Sequence, residues 1–261
     1  MAARICLQVA ATTLVVSVAL ASTASPTGHA ENFRLDNKVF VHSEKEPRSR
    51  STTIFYEGLA YDFLDKPEEI IVFDVPHHRF VLLDTARRVK TEVSTDEVAA
   101  LCENLYRWAQ RQTDPLLRFM ASPKFEEEFD EAAGELVFKS PWMTYRVATA
   151  PVENEVIGRQ YREFSDWSTR LNARLNPGSK LPFARLEVNQ VLEKRQELPR
   201  EVKLAIQAKK GLPSQKRLAR SEHTLTTRLS QADRDRIGQT EQFISIFQPV
   251  DFEQYQKNMG R

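Results

Sequence analysis

Residues 52–84 read TTIFYEGLAYDFLDKPEEIIVFDVPHHRFVLLD, four runs of β-branched and aromatic residues separated by short turn sequences. The turns contain Gly58, Pro67 and Pro76, which permit or restrict the backbone angles that tight turns need. The pattern predicts strands at 52–56, 59–64, 69–74 and 79–83. A spacing of roughly ten residues per strand is typical of an antiparallel meander.

Strand patterns continue on both sides of this stretch. The further predicted strands are 34–42, 88–92, 124–130, 135–140 and 142–149, with a hairpin of 202–208 and 217–229. The Glu-rich stretch 124–131 would also suit a helix. The segment 43–50 is polar and contains no large apolar residue, so it is predicted to be a solvated loop.

Two amphipathic helices interrupt the predicted strands. Ser94 and Glu97 form a capping-box pattern before an apolar stripe, and a second stripe runs from Ile157 to Leu175. Ser230 is predicted to cap a short helical stretch that ends at Gly238. An aromatic tail follows, consisting of Phe243, Phe247, Phe252 and Tyr255.

These elements predict one α+β domain at 31–261. Each helix has a single apolar face, and strands dominate the chain. The simplest assembly is a strongly curved antiparallel sheet, an unclosed barrel, with the two amphipathic helices packed on its concave face.

The central hairpin resembles that of a known superfamily. Residues 55–63 read FYEGLAYDF, with an acid-Gly-x-x-aromatic pattern, and the strands at 70–74 and 80–84 follow it. This stretch is similar to the periplasmic lipoprotein-sorting, or LolA-like, superfamily. The resemblance implies an unclosed barrel, covered by helices, that holds acyl chains or other hydrophobic ligands. The helix that such proteins usually place before the first strands is missing here.

The first thirty residues have the pattern of a secretory signal peptide. Arg4 precedes an uncharged run at 5–21, and small residues allow cleavage after Ala21 or, as we favour, after Ala30. The alternative is an uncleaved membrane anchor. The signal predicts a periplasmic or extracellular protein.

Composition excludes several classes of activity. The net charge is +1, and Arg4 is the only charged residue before Glu31, so the exported chain is formally neutral and no nucleic-acid partner is expected. The 8 glycines are too widely spaced for a dinucleotide loop, a phosphate loop or a nucleophile elbow. No cofactor is predicted.

Metal and thiol chemistry are also poorly supported. Cys102 is the single cysteine after the signal and lies on an apolar helical stripe, which is typical of a core residue. His77 and His78 are adjacent to one another in a predicted turn, and no second histidine pair completes a zinc set. We therefore predict no metal site.

Aromatic residues on the predicted strands and the second helix are candidates for the lining of an apolar cavity. They are Tyr61, Phe63, Phe73, Phe80, Trp142, Tyr145 and Trp167. In one interpretation they line a hydrophobic ligand site. In the other they pack beneath the helices as an ordinary core.

The hairpin tip forms a basic patch, Lys209, Lys210, Lys216 and Arg217. This patch could bind an anionic partner, or it could be a solvated face that keeps the hairpin edge soluble. An acidic patch at 126–135 offers an internal counterpart.

The sequence therefore favours a non-enzymatic protein that binds a lipid or a lipidated partner. A structural or protein-interaction module of the cell envelope, with a fully packed core, is the alternative. No residue spacing indicates a hydrolase.

Overall fold

The computed structural model describes residues 30–42, 44–207 and 217–257. Its sheet has twelve strands. In chain order they are β1 (Phe33–Val41), β2 (Ser49–Tyr56), β3 (Leu59–Asp65), β4 (Glu68–Asp74), β5 (Arg79–Asp84), β6 (Val89–Ser94), β7 (Glu126–Asp130), β8 (Glu135–Lys139), β9 (Met143–Pro151), β10 (Glu197–Ile206), β11 (Arg217–Thr226) and β12 (Gln248–Pro249).

The strand order is β12-β6-β5-β4-β3-β2-β1-β11-β10-β9-β8-β7, and the sheet is open. All neighbours are antiparallel except β12 and β6. The first strand joins the two halves, because β1 pairs with β2 on one side and with β11 on the other. The predicted α+β class and the unclosed antiparallel sheet are confirmed.

Six helices accompany the described part of the sheet, whereas the sequence predicted two amphipathic helices and a short helical stretch after Ser230. They are α1 (Thr95–Gln110), α2 (Pro115–Ala121), α3 (Glu155–Leu175), α4 (Phe183–Arg195), α5 (Gln231–Ile246) and α6 (Phe252–Lys257). The capping box of Ser94 and Glu97 begins α1 as predicted. The predicted second helix corresponds to α3, which Asn154 caps.

Helices cover both faces of β2 to β5. On one face Phe55, Phe73 and Phe80 pack against α1, α3 and α6. On the opposite face Ile54, Val72 and their neighbours pack against α5. The prediction that helices lie on one face was therefore incomplete. The second half of the sheet has its own core, in which β8, β9 and β10 contact α2 and α4.

The two edges of the sheet are formed by short strands. The strand β12 has only two residues, and β7, with sequence EEEFD, forms the other edge of the sheet. The predicted signal peptide lies outside the described residues, apart from Ala30. Within the described ranges, no helix has the length and apolar character needed to cross a membrane.

Candidate functional site

A cavity of about 500 Å³ lies between the sheet and the helices α3 and α4. Six adjacent strands form its floor, from β3 through β2, β1, β11 and β10 to β9, and α3 with the start of α4 covers it. Its apolar wall includes Leu35, Val39, Phe164, Leu181, Val202 and Leu204. Apolar side chains therefore line this space on the side of the sheet that faces α3 and α4.

Strand alternation places polar side chains on the same floor. On β1, Leu35, Asn37 and Val39 point to one face because successive side chains alternate. The neighbouring strands add to this face a row of polar groups, which we call the polar strip. It consists of Asn37, Ser51, Thr53, Asp62, Ser221 and His223.

Register brings the members of the polar strip into contact. Asn37 lies opposite both His223 and Ser51, and Thr53 lies opposite Asp62. The Thr53 hydroxyl donates to Asp62 Oδ1 at 2.9 Å, and Asn37 Nδ2 donates to Ser51 Oγ at 3.3 Å. Ser51 also hydrogen-bonds to the Asp62 carboxyl.

The chain of hydrogen bonds assigns one tautomer to His223. Asn37 uses its amide nitrogen for Ser51, so its Oδ1 accepts from His223 Nδ1 at 2.7 Å. His223 Nε2 then accepts from the Ser221 hydroxyl at 3.0 Å. Burial, and next the charge of Arg185, lower the pKa of His223 to about 3, which agrees with this neutral form.

Ser221, His223 and Asn37 have the connectivity of a nucleophile, a base and an orienting amide. Their surroundings do not suit that chemistry. A base with a pKa near 3 has little driving force to remove a hydroxyl proton at neutral pH. Ser221 lies within β11, which is paired on both sides, so its backbone N–H belongs to the sheet. The geometry describes a neutral hydrogen-bonded network rather than an activated serine.

Asp62 is the acidic end of the polar strip. Burial raises the pKa of its carboxyl to about 6, although the hydroxyls of Thr53 and Ser51 oppose that shift. Among the described residues, no Lys or Arg forms an ion pair with it. Asp62 and Ser168 also line a second cavity of about 810 Å³, so the two cavities meet at this carboxyl.

Arg185 is a cation at the opposite end of the cavity, in the first turn of α4. It hydrogen-bonds to the Tyr161 hydroxyl, and its charge acts on Tyr145 and His223. Within the described ranges it makes no ion pair with a carboxylate. Arg220, which also lines the cavity, differs because Glu201 and Glu222 neutralise it.

An apolar groove of about 1100 Å³ adjoins the cavity. It lies between α1, α2 and the segment that follows α3, and Leu181 and Lys180 line both spaces. Its apolar lining is Leu101, Leu105, Trp108, Leu116, Leu117 and Met120. The Trp108 side chain is 48% exposed, which is high for an indole.

The seven predicted lining aromatics do not surround one cavity. Tyr61 and Phe63 face α5 on the other side of the sheet, where Arg236 lies over the Phe63 ring. Phe73, Phe80 and Trp167 belong to the core beneath α1 and α3. Trp142 is half-buried outside the three cores. Tyr145 alone among the seven lines the 500 Å³ cavity.

Most of the predicted basic patch lies outside the described residues, namely Lys209, Lys210 and Lys216. Arg217 is the first residue of β11, opposite Ile206. The patch stays a prediction.

The remaining candidates have ordinary structural surroundings. His77 Nδ1 contacts both Asp74 carboxylate oxygens, at 2.8 and 2.9 Å, and the His78 carbonyl accepts from Thr95. In the part of the chain that the structure describes, no three His, Cys, Asp or Glu side chains are placed so that they could hold a metal ion together. Cys102 is buried, and burial raises the pKa of its thiol.

Sequence reasoning missed the polar strip and Arg185. A signal for the strip was present, because Asn37, Thr53 and Asp62 interrupt the inward-facing positions of three predicted strands. Arg185 had no comparable signal, since it belongs to α4, a helix that the sequence analysis did not assign.

Comparisons with known proteins add a structural similarity. No protein-family model matches the chain, and no curated protein sequence matches it. Among solved structures, it is similar to a LolA superfamily protein from Nitrosomonas europaea, with 9% identity over 79% of this chain and 89% of that chain. The TM-score is 0.29. An overlap this low carries no argument about ligand or activity, so both have to come from the cavity itself.

Proposed function

We propose that the protein is an exported, non-catalytic carrier that binds a hydrophobic ligand, either a lipid or a lipidated partner, in the cavity beneath α3. The observation that carries this proposal is the cavity of about 500 Å³ with its apolar wall. Small-molecule sites have volumes of about 300–1,000 Å³ and are mostly apolar with a few placed polar groups. A periplasmic or extracellular location follows the signal prediction.

The adjoining groove extends the same site. Leu181 separates the cavity from the groove and lines both, so a long apolar chain that enters at the polar strip can continue toward Trp108. A single ligand then covers the exposed Trp108 and the half-buried leucines of α1 and α2. This occupant accounts for an apolar surface that would otherwise be unfavourable in water.

Native mass spectrometry of the exported protein, followed by organic extraction, tests the proposal. We expect a stoichiometric lipid or, after a lipid challenge, a specific adduct. Ser168→Trp should abolish the adduct, because Ser168 on α3 lines both cavities and an indole would fill the space.

Ser245→Trp is the matched control, since Ser245 is exposed on α5, far from the cavity along the chain. It should retain the ligand. The carrier proposal fails if the wild-type protein takes up no lipid. It also fails if folded Ser168→Trp, checked by circular dichroism, binds as well as the control variant.

A further inference from the structure

We infer that the cavity recognises an amphiphile with an anionic head group, a carboxylate or a phosphate, and that Arg185 binds this head group. The inference rests on the proposed carrier function and names the class of its ligand. The apolar wall specifies a hydrophobic body for the ligand, and the charged groups of the cavity specify its head.

Only a few charged side chains line the cavity. Its charged or titratable side chains, apart from tyrosines, are Asp62, Lys180, Arg185, Arg220 and His223. Arg220 is neutralised by Glu201 and Glu222, and His223 is held neutral by burial. Arg185 is a permanent cation that forms no ion pair with any described carboxylate.

Two tyrosines lie near Arg185. Tyr161 is buried and offers its hydroxyl beside the guanidinium, and Tyr145 is buried on the facing strand. A guanidinium in such partly dry surroundings gains more from an anion than one in bulk water does. Its planar donors match the two oxygens of a carboxylate or phosphate.

The charges in the cavity fix the orientation of the ligand. The acidic end of the polar strip, Asp62, would repel an anionic head, whereas the end that contains His223 adjoins Arg185. Leu181, close in sequence to Arg185 and in the same wall, leads into the apolar groove. The head therefore lies against α4 and the tail extends toward α1.

The test compares dodecanoate, dodecyl phosphate, dodecanol and dodecylammonium by titration calorimetry at about pH 8. Their chains are equal in length, so they differ in the head group alone. We expect at least one of the two anions to bind about ten-fold or more tightly than dodecanol. Whichever of the two anions binds more tightly identifies the source of the head group.

Variants connect the preference to one side chain. Arg185→Met should reduce the preference for the anion over dodecanol to about two-fold or less. Arg195→Met is the control on the same helix, where Arg195 pairs with Glu197. Arg185→Lys should keep part of the preference for the anion. It replaces Arg185→Met in the test if the methionine variant does not fold.

The outcomes separate the two proposals. If all four compounds bind equally, or if dodecylammonium binds best, the head-group inference is overturned and the carrier proposal stands. If none of them binds, the carrier proposal fails together with the inference. If Arg185→Met keeps the full anion preference, Arg185 is not the residue that recognises the head group.

Discussion

The Asp62 carboxyl lies between two cavities with two hydroxyl donors and, among the described residues, no cationic partner. A carboxylate has about four acceptor sites, so two remain for solvent or ligand. Ionisation in this place is costly, and the pKa therefore rises from 3.8 to about 6. Such a residue is a poor contributor to stability at neutral pH and a good recognition element.

Asp62→Asn should stabilise the protein at high pH. Between about pH 4 and pH 6 the folded state binds a proton that the unfolded state has released, so this group lowers the free energy of unfolding as pH rises. Asparagine removes the effect and can still accept from Thr53. We expect a gain of about 1–2 kcal/mol at pH 8 that disappears near pH 4, measured by urea unfolding.

The quantity to measure is the difference in the free energy of unfolding between Asp62→Asn and the wild-type protein at each pH. The pH dependence of the wild-type protein alone does not isolate Asp62. His223 acts in the opposite direction, because its depressed pKa costs stability as pH falls below about 6.5. The exposed Glu68→Gln on the next strand is the control. An Asp62→Asn effect of equal size at both pH values would contradict the assignment.

Ser221 should not react with a fluorophosphonate probe. The neutral network with His223 and Asn37 supplies no base strong enough to ionise the hydroxyl. Intact-mass measurement after incubation should show the unmodified protein. Stoichiometric labelling that is lost in Ser221→Ala would reverse this interpretation and indicate a hydrolase.

At the scale of elements, α5 shows how a local rule can mislead. Ser230 caps it as predicted, with Asp233 completing a capping box, but the helix continues through Gly238 to Ile246. Gly238 lies within the helix. Apart from the nearby backbone of that helix, no atom lies within 4 Å of the position that an added Cβ would take. The glycine weakens the helix without ending it, and burial of Ile237 and Phe247 against the sheet offsets this cost.

Gly238→Ala should therefore stabilise the protein by about 0.5–1 kcal/mol, because alanine is the better helix former and nothing obstructs its methyl group. Gly158→Ala on α3 is the matched comparison. There the added Cβ would lie 2.7 Å from Val152 Cγ1, so that variant should be destabilised. The melting temperatures of both variants, compared with that of the wild-type protein, test these two expectations. A loss of stability in Gly238→Ala would contradict the helix assignment.

Strands were more predictable than helices here. The runs at 70–73 and 80–83 are continuously apolar, which is typical of strands buried on both faces, and this pattern already implied the second helical layer. The helix α4 lacks a clear apolar stripe, and its N-cap residue, Pro182, has no capping side chain, so no local signal marked it. Because Arg185 belongs to α4, the cationic end of the cavity could not be predicted.

The aromatic set illustrates a different limit. Tyr61 and Phe63 lie on one face of β3, as strand alternation requires, but alternation does not say which face meets the cavity. That choice depends on which strands become neighbours, above all on β1 pairing with β11. Position along the chain cannot reveal this pairing. The cavity is a product of topology, and its residues come from segments that are distant in sequence.

For the whole molecule, the two edge strands of the sheet are the places where another copy could add a strand. One edge is protected by β12, which is very short and contains Pro249, and the other by the exposed acidic residues of β7. Glu126→Val combined with Glu128→Val should promote self-association, detected by light scattering after gel filtration. Glu155→Val with Glu163→Val on α3 changes the charge equally and should stay monodisperse. Equal association of both would contradict the role of the edge.

The pairing of β1 with β11 also determines when the cavity can exist during biosynthesis. Arg34 on β1 lies opposite Thr226 on β11. The floor of the cavity is therefore incomplete until β11 has been synthesised. A ribosome adds about 5–20 residues per second, and the emerging chain therefore spends many seconds without its binding site. Under the proposed function, in which the chain is exported and carries a ligand, this delay means that the ligand binds only after the chain has crossed the membrane.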